Sequence, residues 1–146
     1  MKIRNPKIWG PPLWDILHYI TFRYDPKDAK KVERLFMYHL PNLMPCIHCR
    51  NHYKEYVRRN PIKLRNREEL SKWLVRIHNL TNQQLKKPQF AYSKAVQRYS
   101  TSSYAKERVK NSFIKWTALM RTNILYGTPT VQKSYSTFLS YIFNYV

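Results

Sequence analysis

Met44-Pro45-Cys46-Ile47-His48-Cys49 holds both cysteines of the chain, and they stand in a C-x-x-C. This spacing is about one helical turn, so both sulfurs face one side and reach each other in a small disulfide ring. Proline suits the first turn of a helix, where its missing N–H costs nothing. The spacing therefore predicts a helix N-terminus here, with Pro45 in its first turn. The helix dipole and unpaired N–H groups at such a terminus favour thiolate over thiol. The motif alone leaves three readings open. One is a redox-active dithiol. Another is zinc, with Cys46, His48, Cys49 and His52 as potential ligands, because zinc accepts mixed Cys and His sets. The third is a pair of buried cysteines acting as small apolar side chains.

Working outward, the cysteine helix is expected to run to about Arg59, with Cys46, Cys49, Tyr53, Tyr56 and Val57 inward. Asn60-Pro61 ends it. Upstream, Asp25-Pro26 reads as an N-cap with proline at the first helical position. That helix carries Val32, Leu35, Phe36 and His39 on one face and stops at Pro41. Earlier still comes Trp9-Gly10-Pro11-Pro12-Leu13-Trp14-Asp15-Ile16-Leu17-His18. Gly10 and the two prolines punctuate a helix start, preceded by an extended basic arm over residues 1–8. Leu13, Leu17 and Ile20 form the apolar stripe, and Trp14 and His18 are neighbours one turn apart. The pair either packs in the core or holds a planar ligand.

Downstream, Asn66 followed by Glu69 resembles a capping box. The helix it opens carries Leu70, Trp73, Leu74, Ile77 and Leu85, and beside them His78, Asn79 and Asn82. His78 and Asn82 share a face. Lys86-Lys87-Pro88 closes this helix, and a short fifth one follows with Phe90, Ala91, Ala95, Val96 and Tyr99. From Tyr104 to Tyr126, Val109, Phe113, Trp116, Met120 and Ile124 mark another amphipathic helix, with Gly127 as its C′ residue. After Pro129, the residues Val131, Tyr135, Phe138, Leu139, Ile142, Phe143 and Val146 mark the last. The expected division is a domain over residues 1–100 and a helical extension over 101–146 that packs on it or forms an interface.

Composition agrees with an all-α fold. Apolar residues make up 43% and there are only 2 glycines, so a helical core is available and strand-rich turns are not. No apolar run approaches the ~18–20 residues of a membrane span. The first residues lack the apolar stretch of a secretory signal. The net charge of +19, from 27 Lys+Arg against 8 Asp+Glu, predicts non-specific attraction to polyanions at low salt. The basic residues are spread along the whole chain, which argues against one dedicated nucleic-acid site.

Three separated segments, Trp9–His18, Pro45–Cys49 and His78–Phe90, together resemble the Erv/ALR family of FAD-linked sulfhydryl oxidases. They carry W-x-x-L-H, C-x-x-C and H-N-x-x-N-x-x-L-x-K-P-x-F in that family's order. The resemblance covers roughly residues 9–99. It implies a four-helix bundle with a short fifth helix clasping FAD, with further C-terminal helices here, and commonly a homodimer. It also implies FAD contacts from Trp9, Gly10, Trp14 and His18, and from His78, Asn79, Asn82 and Leu85. Lys87 is implied near the phosphates, and Phe90 and Tyr92 on the adenine side. The family's Arg-Trp pair has Arg98-Tyr99 as its nearest match, and Pro11-Pro12-Leu13 stands where the family carries a basic residue before the Trp.

The catalytic pair implied is Cys46 and Cys49. A substrate dithiol attacks Cys46, Cys49 leaves, and two electrons pass to FAD and on to O2, giving H2O2. The chain lacks the second, shuttle pair of many members, so a protein dithiol or a thiol relay protein must reach Cys46 directly. Such lean forms look like those of large cytoplasmic DNA viruses, which implies a place in the infected-cell cytoplasm or the virion. The competing reading is a zinc-stabilised basic nucleic-acid-binding module using Cys46, Cys49 and His52. It accounts for the charge and leaves the Trp14–His18 and His78–Asn82 clusters unexplained.

Overall fold

A computed structural model describes residues 4–100 and 103–145. Residues 1–3 of the expected basic arm and Val146 of the last predicted helix lie outside the described residues. Among these residues there are seven helical segments and no strand.

Helix α1 spans Pro6–Thr21. Asn5 caps it, its Oδ1 accepting from the Lys7 N–H at 3.0 Å, and Pro6 takes the first helical position. The helix thus starts before the expected arm ends, and Pro11 and Pro12 lie inside it. An internal proline costs on the order of 3 kcal/mol through its lost hydrogen bond and ring clash. Burying a large apolar side chain returns roughly 1.5–3 kcal/mol each. Trp9, Leu13, Ile16 and Leu17 are all buried on this helix, so packing outweighs the two prolines.

Helix α2 covers residues 26–42 as one continuous path. It joins a 3₁₀ turn at Pro26–Asp28, an α-helical stretch Ala29–Arg34, a wide π-helical turn Leu35–His39 and a last turn Leu40–Asn42. Asp25 caps it through the Lys27 N–H at 3.0 Å. Pro41 was expected to stop this helix, and the helix instead passes through it. The wide turn, closed by the Leu40 N–H on the Leu35 carbonyl, shifts the hydrogen-bond ladder just ahead of the proline ring.

Helix α3 is Ile47–Arg59, α4 is Arg67–Gln84 and α5 is Tyr92–Tyr99. The Asn66 side chain accepts from the Glu69 N–H at 2.9 Å, as its cap position predicts. The bundle core gathers Ile16 and Ile20 of α1, Phe36 and Leu40 of α2, Tyr53 of α3, and Leu70, Leu74 and Ile77 of α4. Two buried polar tips find backbone acceptors. Tyr53 Oη donates to the Phe36 carbonyl at 2.9 Å, and Trp73 Nε1 donates to that of Asn60 at 2.7 Å.

Helix α6 is Ser103–Leu125 and α7 is Pro129–Ile142. Helix α6 lies along α1, and α7 packs against the end of α2. Trp116 and Met120 of α6 are buried, with Trp116 edge-on to Phe138 of α7 at 5.2 Å. Gly127 follows α6 as expected of a C′ residue, but its φ is not positive. Close approach is what requires glycine there: a Cβ would lie 2.8 Å from the Asn123 carbonyl oxygen.

Candidate dithiol and cofactor site

A cleft opens between α1, the start of α3 and the end of α4, with Trp9, Gly10, Trp14, Cys49, Asn82 and Lys87 among its walls. The cysteines sit at the N-terminus of α3. Cys46 is the N-cap, and its Sγ accepts from the Cys49 N–H at 3.2 Å. Pro45 therefore stands just before the cap, outside the first turn where it was expected; the Cys46 side chain supplies the cap. Both thiols are half-buried, but only Cys49 lines the cleft.

The expected preference for thiolate does not hold for Cys49. Burial pushes its thiol up to about 12, the Cys46 sulfur adds to the rise, and only a backbone N–H works the other way. Desolvation outweighs the helix terminus here. His48 and His52 are exposed, and His52 stacks loosely on Tyr56 at 6.2 Å. Among the described residues no group of three or more His, Cys, Asp or Glu side chains gathers as a metal site.

Behind the opposite wall stands an aromatic stack. The Trp14 ring, on the cleft, lies parallel to the His78 imidazole at 4.0 Å and 9°. His78 Nδ1 is 2.8 Å from His18 Nε2, and the His18 ring lies against Tyr99 at 5.3 Å and 15°. Phe90 flanks both imidazoles at 5.3 Å. Both rings are held neutral. Burial first, then the Lys87 and Arg98 cations, brings His78 down to about 3. Burial, His78 and Arg98 hold His18 well below its usual value.

Asn79 does not line the cleft. It holds the loop that does: its Nδ2 donates to the Phe90 carbonyl at 2.9 Å and its Oδ1 accepts from the Phe90 N–H at 2.7 Å. Lys86, with φ of 58°, turns the chain so that the Lys87 N–H reaches the Asn82 carbonyl at 2.8 Å. Leu85 and Lys87 thereby reach the cleft wall. Tyr92 stands outside it, its hydroxyl 2.8 Å from Ser71 Oγ and its ring 6.1 Å from Phe22. Sequence reading missed Met44, Tyr53, Tyr56 and Thr81 as wall residues. Tyr53 and Tyr56 had a legible signal, since they follow Cys49 by four and seven residues on one helix face.

These features fit the FAD that the resemblance implies. The walls are largely aromatic and aliphatic, as a flat ring system requires. Trp9 Nε1 is a buried donor with no partner among the described residues, beside that space. Gly10 is buried, yet an added Cβ there would meet no atom within 4 Å, so open room adjoins it. Lys87 supplies a cation for phosphate.

The sequence model of the Erv1/Alr family matches residues 11–100. The 096R chain of Invertebrate iridescent virus 3 is 32% identical over 100 residues, covering 65% of this chain and 68% of that one. An FAD-linked sulfhydryl oxidase of African swine fever virus is 33% identical over 97 residues, covering 64% of this chain and 82% of that one. The mitochondrial FAD-linked sulfhydryl oxidase ERV1 of Saccharomyces cerevisiae is 33% identical over 84 residues, of which this chain spans 44%. A crystal structure of a double Cys-to-Ser variant of that yeast protein superimposes with a TM-score of 0.59 at 24% identity, covering 65% of this chain and 83% of that one.

Proposed function

Since the chain belongs to the Erv1/Alr family, we propose that it is an FAD-linked sulfhydryl oxidase that makes disulfides in protein dithiols. The observation that carries this reading is the division of labour at α3: Cys49 lines the cleft between α1, α3 and α4 while Cys46 caps the helix outside it. In the oxidised enzyme the two are joined. A substrate thiolate attacks Cys46 Sγ, the Cys46–Cys49 bond breaks, and Cys49 Sγ carries away the electron pair inside the cleft. A second substrate thiolate then attacks the mixed disulfide. The product leaves with a disulfide, and its two electrons and two protons pass to the enzyme as a reduced Cys46–Cys49 dithiol.

Bound FAD supplies the two-electron acceptor that reoxidises this pair and passes the electrons to O2, giving H2O2. Trp9, Gly10, Trp14, Asn82, Leu85 and Lys87 line the cleft that holds it. His18, His78 and Phe90 back the Trp14 wall, and Asn79 fixes the loop carrying Leu85 and Lys87. Burial favours the protonated form of Cys49 Sγ in the cofactor-free protein.

The catalytic unit is residues 1–100, residues 101–146 extend it, and the chain works as a homodimer. Its substrate is a protein dithiol or a relay protein, drawn from acidic partners by the +19 charge. No helix among the described residues is long and apolar enough to cross a membrane. The kinship with viral chains points to the infected-cell cytoplasm or virion. Among the described residues the zinc-bound nucleic-acid module has no ligand cluster to support it.

The test is oxygen uptake and peroxide release with a reduced protein substrate. The wild-type chain is expected to turn over, and Cys46→Ser and Cys49→Ser to lose turnover while retaining FAD. Turnover by either serine variant at the wild-type rate overturns the assignment of the pair.

A further inference from the structure

Helix α6 lies beyond the residues that the family model matches, yet two of its side chains reach a buried carboxylate of α1. Asp15 Oδ2 accepts from Ser112 Oγ at 2.6 Å, and Asp15 Oδ1 accepts from Arg108 Nε at 3.1 Å. The same Oδ1 accepts from the Tyr99 hydroxyl of α5. Asp15 is 8% exposed, so its charge depends on these donors. Tyr99, 1% exposed, lies flat on His18. His18 meets His78, and His78 is stacked beneath Trp14 on the cleft wall. Side chains from α6, α1, α5 and α4 thus form one contiguous path from the extension to the cofactor cleft.

We propose that Arg108 and Ser112 of the C-terminal extension are positioning residues for FAD binding: through Asp15 they hold Tyr99 against His18 and so fix the His18–His78–Trp14 wall. The proposal rests on the assignment of the cleft to FAD. It gives the extension a function in the active unit, since a solvent-facing appendage needs no donor to a buried carboxylate of α1. Among the described residues, Asp15 without its α6 partners keeps only the Tyr99 hydroxyl, and a buried carboxylate so deprived turns toward water and releases that hydroxyl. The Tyr99 ring then loses its tie to α1, with Arg98 left beside it, and the imidazole pair loses part of its backing.

The experiment uses the full chain with Arg108→Gln and Ser112→Ala combined. Ser112→Thr keeps the hydroxyl, and Phe138→Leu on α7 loosens the extension away from Asp15. Two quantities are measured: the FAD dissociation constant, and the slowly exchanging downfield NMR signal of the proton shared by His18 and His78. Expected for the double variant are FAD binding weakened ~10-fold and loss of that signal, with Ser112→Thr and Phe138→Leu close to wild type. Wild-type FAD binding in the double variant, or equal weakening in Phe138→Leu, overturns the proposal. If the wild-type chain takes up no FAD, the functional assignment fails. The ring-proton signal still decides the positioning path, whose loss in the double variant alone supports it and whose retention refutes it.

Discussion

His18 Nε2 and His78 Nδ1 lie 2.8 Å apart, sixty residues apart in the chain. Such a contact needs a neutral ring as its acceptor, since a doubly protonated imidazole has none. Burial holds both in that state, His78 down to about 3 and His18 well below its usual value. A histidine whose folded value is depressed contributes stability that is present above pH ~6.5 and lost as the pH falls toward the folded value. Unfolding free energy is therefore expected to stay flat between pH 7 and 8. Below pH ~6 it should fall by up to ~1.4 kcal/mol per pH unit for each imidazole. Urea midpoints at pH 7.5, 5.5 and 4.5 check this, and a midpoint unchanged at pH 4.5 would contradict the neutral pair.

The Cys49 thiol, pushed up to about 12 chiefly by burial, predicts sluggish alkylation. In cofactor-free Cys46→Ser protein, iodoacetamide labelling of Cys49 should rise roughly tenfold per pH unit from pH 7 to beyond 9, because only the thiolate reacts. Removing Cys46 takes away the smaller causes and leaves the burial. A rate that levels off by pH 8 would show an activated thiolate instead.

Trp14 presents its ring to the cleft and is backed by His78 at 4.0 Å. Trp14→Ala removes both a wall and a stacked pair, the latter worth ~0.5–1.5 kcal/mol beyond its area. FAD affinity should drop by one to two orders of magnitude while the far-ultraviolet dichroism stays helical. Trp14→Phe should recover much of the affinity. Titration of flavin fluorescence reads both.

Gly10 sits inside α1 with open room beside it. Gly10→Ala should fold and gain up to ~1 kcal/mol, since glycine is a poor helix interior residue. Gly10→Leu should fold as well, but its side chain enters the cleft and should exclude FAD. Thermal unfolding and flavin content of the purified variants separate the two effects.

The caps and stripes that build the bundle were legible because they are local. Asn66 to Glu69 and Asp25 to Lys27 are contacts within one turn, and the α4 stripe of Leu70, Leu74 and Ile77 repeats at helical spacing. The helix positions of Trp14 and His78 were legible from spacing, whereas an FAD role for them was implied by the family resemblance alone. Other features depend on contacts distant in sequence. The passage of α2 through Pro41 relies on a wide turn that no residue type announces. Starting α1 at Pro6 relies on core burial outweighing two prolines. Asp15 reads as one more polar residue on an amphipathic helix until Tyr99, Arg108 and Ser112 are seen around it. The thiol of Cys49 follows its burial, which the motif does not encode.

The most direct test of the oxidase assignment is the visible spectrum of the purified protein, recorded before and after a dithiol is added without oxygen, and again after air is admitted. The account predicts a yellow protein that bleaches with dithiol and recovers in air, and a Cys49→Ser variant that stays yellow throughout. A colourless wild-type protein that cannot be loaded with FAD, or a Cys49→Ser variant that bleaches as fast as wild type, would contradict it.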